Sequence, residues 1–282
     1  MLSDWRLLPR AAALVLLITS LFLPKFSALR AVYDVIAVLD ITGSMNVRDQ
    51  HLDGEAASRI AMEKRAVRRL LADLPCGSKL GLAVFVEKQP FLLFEPVETC
   101  ENFSALDAEI AAVDWRMGWD SESHIAETLR AAIQMASPLG ADLLFMTDGQ
   151  ETPPLSWGTP PDFSALSGTL HGVIEGVGGH DFVPIPKFDT SGRQIGIFKP
   201  GDVPSEQAGL FRGREHLSAV DEPHLRSLAA STGLAYAHLD GEAALMPAVR
   251  AHAVARMHPA TIDLRWLPAS AALLLLLLVA RR

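Results

Sequence analysis

The sequence has few of the residues that would place it in several common classes of protein. Only two of its 282 residues are cysteines and 20 are glycines, which excludes a disulfide-dense scaffold and a collagen-like chain. Its 25 basic residues are outnumbered by 33 acidic ones, and the net charge of −8 argues against nucleic-acid binding, which requires a basic surface. Hydrophobic residues still make up 49% of the chain, so a disordered protein is excluded and a sizeable core is expected.

The sequence motifs of several enzyme classes are missing as well. The chain lacks the phosphate-binding G-x-x-x-x-G-K-[ST], the G-x-S-x-G of α/β-hydrolases and the H-E-x-x-H of zinc proteases. An aspartyl-phosphate enzyme would need a second Asp two residues after Asp40, where Thr42 stands. His171 and His180 are too loosely spaced to predict a zinc site. We therefore expect a protein that is not an enzyme, with a phosphoryl-transfer hydrolase as the competing class.

The longest hydrophobic runs lie at the two ends of the chain. Residues 11–23 are mostly apolar, and residues 267–280 contain a run of leucines that ends on Arg281 and Arg282. Each run is close to the lower limit of the roughly 17–25 residues that span a membrane. By the positive-inside rule, the final arginine pair lies in the cytoplasm.

These ends divide the chain into three predicted segments. Residues 1–30 form an N-terminal membrane anchor or a cleaved signal segment, and residues 263–282 form a C-terminal transmembrane segment. Residues 31–262 form the main domain, which lies outside the cytoplasm under either reading. For a bacterial protein this predicts an inner-membrane location with the main domain in the periplasm.

The two cysteines fit an extracytoplasmic location. Cys76 follows a helical segment and Cys100 follows a strand-like run. In an oxidising compartment two such thiols pair, and closing a loop of about 25 residues would contribute roughly 3–4 kcal/mol in the chain-entropy model. Because sequence gives no distance between them, two unpaired and partly buried thiols stay as the alternative.

The middle of the chain alternates between strand-like and helix-like patterns. Short apolar runs predict buried strands, and amphipathic stretches predict helices between them. This alternation predicts an α/β fold with a Rossmann-like, doubly wound, mainly parallel sheet and helices on both faces. The predicted strands are 32–39, 80–86, 91–97, 141–147, 171–177 and 234–238, with hairpins at 80–97 and 182–199, and the predicted helices are 57–74, 103–113, 125–136, 217–231 and 242–254.

Two of the predicted strands end on carboxylates. Asp40 closes the strand VIAVL, and Asp148 follows the strand LLFMT. Thr42 and Ser44 come two and four residues after Asp40, and Gly43 permits a tight loop in which these side chains converge. Ligands of open α/β sheets bind beyond the carboxyl ends of the strands, and carboxylates with hydroxyls suit a hard cation such as Mg²⁺. Taken singly, each residue is also typical of ordinary turn capping.

These residues resemble the motifs of a known family. The segment DITGS from Asp40 and the segment TDG around Asp148 are similar to those of the von Willebrand factor type A (vWA) domain, over about residues 31–255. In that family, Asp-x-Ser-x-Ser, a threonine in a middle loop and an Asp after the fourth strand form the metal-ion-dependent adhesion site. The resemblance implies that Asp40, Thr42, Ser44 and Asp148 are metal ligands, with Thr42 replacing the first serine of the motif.

The middle threonine of the family has no direct counterpart in this sequence. The corresponding Gly-Gly-Thr-Asn segment aligns with residues 120–124, so the resemblance implies Ser123 as the ligand and Ser121 as the second choice. The implied cofactor is Mg²⁺ or another divalent cation, with Ca²⁺ and Mn²⁺ as alternatives. In the family this site does not catalyse a reaction. A partner protein supplies an acidic residue that completes the coordination of the cation.

Membrane-anchored bacterial vWA proteins fall into two groups that this chain resembles. The segments DITGSMNVRD, LLFMTDGQE, IPKFDTSGRQIG and LSAVDEPHLRSLAASTG favour the vWA proteins of the methanol-oxidation cluster, which are implicated in calcium insertion into periplasmic methanol dehydrogenase. The resemblance then implies that dehydrogenase, or its maturation factors, as the partner. The second group contains the aerotolerance (Bat-like) proteins that accompany AAA+ ATPases. A third reading is a structural membrane subunit whose cation site is vestigial.

Overall fold

A computed structural model describes residues 7–24, 26–118, 122–152, 161–202 and 214–280 of the chain. Two compact units are distinguished. One unit contains the two chain ends, up to Ala31 and from Met257 onward, and the other runs from Val32 to Arg256.

The described residues form strands and α-helices, which are numbered here in chain order. The strands are β1 (Phe26–Val32), β2 (Asp34–Asp40), β3 (Gln50–Leu52), β4 (Glu55–Ala57), β5 (Lys79–Val86), β6 (Gln89–Glu98), β7 (Asp142–Thr147), β8 (Gly172–Gly176), β9 (Val183–Pro184), β10 (Pro186–Phe188), β11 (Gln194–Ile197), β12 (Leu217–Ser218), β13 (Ala235–His238) and β14 (Arg256–Ile262). The α-helices are α1 (Leu7–Phe22), α2 (Arg59–Asp73), α3 (Phe103–Ala112), α4 (Ile125–Leu139), α5 (Glu222–Thr232), α6 (Leu245–His252) and α7 (Trp266–Ala280).

The larger unit is built on a six-stranded sheet in the order β13-β8-β7-β2-β5-β6. All neighbouring pairs from β13 to β5 are parallel, and β5 pairs with β6 antiparallel at the edge. This confirms the predicted α/β fold with a mainly parallel sheet and one antiparallel hairpin. In such a sheet the carboxyl ends of the central strands meet at one edge, which is where the candidate site lies.

The sheet is covered by apolar helices on both faces, which explains why its central strands are continuous hydrophobic runs. Along β2, Val35, Ala37 and Leu39 face a core cluster formed with α2, α3 and α6. The intervening Ile36 and Val38 face a second cluster formed with α4 and α5. The period of two along β2 therefore divides its side chains between two cores.

The ends of the helices follow from capping residues. Ser58 caps α2, since its hydroxyl accepts a hydrogen bond from the amide of Ala61. Asp221 caps α5 through the amide of His224, and Gly233 in the left-handed conformation ends that helix.

Three predicted elements differ from the structure. The helix predicted at 217–231 begins only at Glu222, because Leu217 and Ser218 form β12 and pair with β9. The helix predicted at 242–254 is limited to α6, and the following strand β14 separates it from the last helix. The helix predicted at 57–74 begins only at Arg59, because Ala57 belongs to β4, the second strand of the β3–β4 hairpin.

Cys76 and Cys100 are joined by a disulfide, with their Cα atoms 5.3 Å apart. This is the paired alternative of the two given above. Cys76 lies just before β5 and Cys100 just after β6, so the bond closes the base of the antiparallel hairpin. It therefore holds an edge of the sheet that has a neighbour on one side only.

The smaller unit contains helices α1 and α7 and the two-stranded sheet of β1 and β14. Both helices expose leucine side chains, such as Leu21 of α1 and Leu278 of α7. The two membrane spans expected from the sequence are not found here: within the described residues, no helix is both long enough and apolar enough to cross a bilayer. The final arginine pair and residues 1–6 lie outside the described residues.

Candidate metal centre

The carboxyl ends of β2 and β7 lie side by side. Leu39 is paired with Met146 across the two parallel strands, so the next residues, Asp40 and Thr147, are also neighbours. Asp40 is the last residue of β2 and Asp148 directly follows β7, and both are fully buried. The two carboxylates that the sequence placed at strand ends are thus neighbours beneath one edge of the sheet.

The loop after β2 folds back onto its own carboxylate. The amide of Thr42 donates a hydrogen bond of 2.9 Å to Oδ1 of Asp40. The chain then forms a 3₁₀ turn at Gly43–Asn46, and the hydroxyl oxygens of Thr42 and Ser44 lie 3.3 Å apart. The first three predicted site residues therefore converge as expected.

A threonine connects the two loops. The hydroxyl of Thr147 donates a 2.6 Å hydrogen bond to Oδ2 of Asp40 and accepts one from the amide of Gly149. Burial and the nearby charge of Asp148 raise the pKa of Asp40 to about 7. The hydrogen bonds from Thr147 and Thr42 act in the opposite direction and lower this pKa. Two buried carboxylates this close repel each other, and a bound cation would relieve that repulsion.

Asp148 is already engaged on one side by a buried cation of the protein. Nη1 of Arg59, from α2, lies 2.8 Å from Oδ2 of Asp148, and the hydroxyl of Ser218 donates to the same oxygen at 2.9 Å. The other oxygen of Asp148 accepts from the amide of Gln150. Asp148 is therefore a positioned and partly neutralised carboxylate, unlike Asp40.

Arg59 is itself shared between two carboxylates. Its Nη2 lies 2.6 Å from Oδ2 of Asp49, which also accepts from the amide of Gly179. Although burial raises it, the hydrogen bonds from Arg59 hold the pKa of Asp49 below its usual value. Gly178 leaves room for the guanidinium, because a Cβ there would lie 2.6 Å from Nε of Arg59.

A third carboxylate near the site has no hydrogen-bond partner in the described part of the chain. Glu63 lies one helical turn after Arg59, is fully buried, and neither of its carboxylate oxygens is hydrogen-bonded within the described residues. Burial, followed by the charges of Asp40 and Asp148, raises its pKa well above the usual value. Among the described residues of this buried region, acidic groups therefore outnumber the guanidinium of Arg59.

Ser123 lies at the same edge of the sheet. Its backbone forms two hydrogen bonds of 2.8 Å with Thr152, and a bridge connects it to Glu87 just after β5. The hydroxyl oxygen of Ser123 is buried and makes no hydrogen bond to any described residue. An orphaned buried hydroxyl fits a group that awaits a ligand. The second choice, Ser121, lies outside the described residues.

The donor set fits a hard divalent cation. The candidate ligands are carboxylate and hydroxyl oxygens, the type that Mg²⁺, Ca²⁺ and Mn²⁺ prefer. Asp40 and Glu63 contribute buried carboxyl groups for which a bound cation would favour the charged form, and the Ser123 hydroxyl has no hydrogen-bond partner among the described residues. When bound, the cation would supply positive charge and a site for an additional oxygen ligand.

Sequence reasoning missed the residues that surround the predicted ligands. Arg59 and Glu63 lie in the amphipathic helix predicted at 57–74, where charged residues are expected on the solvent side, yet both are fully buried. Asp49 and Ser218 were not assigned to the site at all, although the structure joins both to Arg59. The available signal was the spacing of four between Arg59 and Glu63, which places both on one face of α2.

Comparison with known proteins agrees with this geometry. The sequence model of the von Willebrand factor type A domain matches residues 35–150, which include Asp40, Ser123 and Asp148. No match is found among curated proteins.

Among solved structures, this chain is similar to an aerotolerance-related membrane protein from Bacteroides fragilis. The identity is 18%, the TM-score is 0.53, and the alignment covers 78% of this chain and 97% of that one.

Two further solved structures are more distant. A von Willebrand factor type A protein from Catenulispora acidiphila has 12% identity, a TM-score of 0.44, and coverage of 88% of this chain and 46% of the other. The manganese-loaded TRAP protein of Plasmodium vivax has 11% identity, a TM-score of 0.40, and coverage of 85% and 82%. These two similarities are too weak to carry an argument. Residues 35–150 are therefore similar in sequence to the von Willebrand factor type A domain, and the similarity to the Bacteroides fragilis protein shows a shared fold.

Proposed function

We propose that this protein binds a partner protein through a divalent cation at the carboxyl edge of its sheet, and that it is not an enzyme. The cation would be held by Asp40, Thr42, Ser44, Ser123 and Asp148. The observation that carries this proposal is the excess of buried carboxylates, beside hydroxyl groups, at the edge where α/β sheets bind their ligands.

The cation accounts for the features that ordinary turn capping leaves unexplained. Capping would explain the hydrogen bond from the amide of Thr42 to Asp40, but not a buried Ser123 hydroxyl without a described partner. A site built from oxygen ligands favours Mg²⁺, with Ca²⁺ and Mn²⁺ as alternatives. A carboxylate of the partner protein would complete the ligand set, since its attraction to the cation is strong in a partly desolvated site.

We propose a periplasmic location for the vWA domain, held at the bacterial inner membrane by the chain ends. The disulfide between Cys76 and Cys100 supports this location, because disulfides persist in oxidising compartments. The apolar side chains exposed on α1 and α7 support contact with lipid.

For the partner, we propose a periplasmic methanol dehydrogenase or one of its maturation factors. The support is the resemblance of four segments to MxaL, the vWA protein of the methanol-oxidation cluster. The role would then be assistance in calcium insertion or assembly of the dehydrogenase. The competing proposal is a Bat-like component of an AAA+ ATPase system, since the aerotolerance-related protein from Bacteroides fragilis shares the fold.

The test is affinity purification of the full-length chain from solubilised membranes. Wild type in Mg²⁺, wild type in EDTA and the Asp40→Ala variant are compared, and co-eluting proteins are identified by mass spectrometry. Asp73→Ala serves as the matched control, because this Asp lies at the end of α2, where it pairs with Arg69.

We expect a partner that co-elutes with wild type and Asp73→Ala in Mg²⁺, and that is absent in EDTA and with Asp40→Ala. The identity of that partner distinguishes dehydrogenase maturation from an ATPase system. The same proteins in all four samples would mean that the cation site is vestigial. Turnover of a generic phosphoester that Asp40→Ala abolishes would instead support the hydrolase reading.

A further inference from the structure

A second group of metal-binding side chains lies at the β13 side of the sheet. His180 follows β8, Glu222 is the first residue of α5, and His238 is the last residue of β13. One ligand atom from each of the three side chains lies within 4.8 Å of the others. None of these residues belongs to the set of oxygen ligands around Asp40.

The ligand atoms of these side chains are separated by distances close to those around a shared metal ion. Nδ1 of His238 lies 3.7 Å from Oε1 of Glu222, and the rings of His180 and His238 are stacked with centroids 5.2 Å apart. Ligands of a tetrahedral zinc ion, each about 2.0–2.1 Å from the metal, lie roughly 3.3 Å from one another. Small side-chain rotations therefore bring the three ligand atoms to coordinating distance.

The ligand atom of His238 is otherwise unused. Its Nδ1 is buried and makes no hydrogen bond to any described residue. Its Nε2 faces the carboxylate of Asp240 at 3.8 Å. At this distance the two groups form no hydrogen bond, but a small movement of the exposed Asp240 side chain would supply the carboxylate contact that orients a metal-bound imidazole.

Glu222 is held with one carboxylate oxygen toward His238. Its Oε2 accepts a hydrogen bond of 3.3 Å from Arg226, whose guanidinium lies over the ring of Tyr236. Its Oε1 is the atom that faces His238. The carboxylate is thus oriented from its own helix, and the Tyr236 hydroxyl also acts on it.

Backbone hydrogen bonds fix the segments that carry the ligands. The amide of Val220, two residues before Glu222, donates to the carbonyl of Gly179, which precedes His180. The amide of Leu239, which follows His238, donates to the carbonyl of Gly176 at the end of β8. The main chain therefore keeps the three ligand-bearing positions together, as a preorganised site requires.

We propose that His180, Glu222 and His238 form a second metal site, which takes Zn²⁺ or a similar divalent transition metal. Two imidazole nitrogens with one carboxylate oxygen favour such ions over Mg²⁺ and Ca²⁺, which prefer oxygen ligands alone. Three protein ligands leave a coordination position for water or for an external group. This proposal does not depend on the function proposed for the centre at Asp40.

The test is Zn²⁺ binding to the full-length, EDTA-stripped protein in the presence of excess Mg²⁺, which occupies oxygen-ligand sites. Titration calorimetry gives the number of zinc equivalents, and Co²⁺ absorption reports nitrogen coordination. The variants are His180→Ala, His238→Ala and Glu222→Gln, with His171→Ala as the matched control. His171 is an exposed histidine just before β8, at the opposite edge of the sheet.

We expect wild type, His171→Ala and Asp40→Ala to bind one zinc equivalent that His180→Ala and His238→Ala lack. Asp240→Asn should keep the stoichiometry and lower the affinity about 10–100-fold, because it removes only the orienting carboxylate. Circular dichroism identifies any variant that fails to fold, and Glu222→Gln is then the informative substitution. Equal zinc binding by wild type and all three ligand variants would overturn the proposal, as would loss of zinc only in Asp40→Ala.

Discussion

Nη1 of Arg59 lies 2.8 Å from Oδ2 of Asp148, and neither side chain is exposed to solvent. The same guanidinium contacts Asp49 and donates to Ser218, so that one residue of α2 links three other parts of the chain. A buried ion pair of this kind is costly to break, because the remaining charge has neither water nor a partner.

Replacing Arg59 with alanine should lower the free energy of unfolding by about 3–5 kcal/mol, the cost of leaving a buried charge unpaired. Chemical denaturation monitored by circular dichroism measures this change. Arg65→Ala is the control, since Arg65 lies on the same helix but is 40% exposed in its pairs with Asp53 and Glu242. For Arg65→Ala we expect a change below about 1 kcal/mol, and equal effects of the two variants would show that the buried pair does not stabilise the fold.

Divalent cations should stabilise the wild-type protein against heat. A ligand that binds only the folded state at a hundred times its Kd adds about 2.7 kcal/mol, so the Tm should rise on adding Mg²⁺ or Ca²⁺ and fall again with EDTA. Asp40→Asn should abolish this response, because it removes a charge from the cluster of buried carboxylates. Asp107→Asn on α3 should retain it, and a Tm that is independent of cations in all three proteins would exclude a cation site that is linked to folding.

The stability of the protein should also depend on pH through Glu175 in β8. This side chain is buried, its oxygens have no hydrogen-bond partner within the described residues, and burial together with the charge of Asp240 raises its pKa from 4.5 to about 7. The folded state therefore retains a proton that the unfolded state releases above 4.5. The contribution of the protonated Glu175 to the free energy of unfolding is fully present below pH 4.5 and is lost as the pH rises to about 7.

Glu175→Gln should remove this dependence. At about pH 8 the variant should be more stable than wild type by roughly 3 kcal/mol, whereas at about pH 4 the two should be similar. Denaturation curves at the two pH values provide the measurement, with the exposed Glu109→Gln as the control. A variant that is less stable than wild type at the higher pH would contradict burial of an ionisable carboxyl group in β8.

Removal of the disulfide should lower the stability of the domain and leave the order of the strands in the sheet unchanged. For the double variant Cys76→Ser, Cys100→Ser, the loop that is no longer closed predicts a loss of about 3.5 kcal/mol in the chain-entropy model. A reducing agent should lower the Tm of wild type toward that of the variant and leave the variant unchanged. Equal Tm values of reduced and oxidised wild type would show that the bond adds no stability.

The sheet could be predicted because the signal for it is local. Apolar runs such as residues 32–39 and 141–147 are buried on both faces, and their carboxylate ends marked the edge at which Asp40 and Asp148 lie. The start of the helix predicted at 217–231 was wrong, because Leu217 and Ser218 pair with β9, more than 30 residues earlier in the chain. Pairing over such a distance leaves no periodic trace in the helix pattern itself.

The surroundings of the site could not be predicted for a related reason. A lone arginine in an amphipathic helix is normally solvated, and Arg59 is buried only because Asp49, Asp148 and Ser218 come together around it. Likewise, His180 was considered with His171, whereas the fold places it beside His238 from another strand. Charge compensation between distant segments is a property of the tertiary structure.

The disulfide at the base of the β5–β6 hairpin also has a mechanical consequence. The disulfide joins Cys76 to Cys100, which are separated by 24 positions in the sequence. The chain between them therefore cannot be extended when tension is applied to the two ends of the protein. At about 3.3–3.6 Å for each extended residue, the oxidised chain is shorter by roughly 80 Å at full extension than the reduced chain. When the unfolded, oxidised chain is pulled, the tension passes through the disulfide, and the residues between the two cysteines bear none of it.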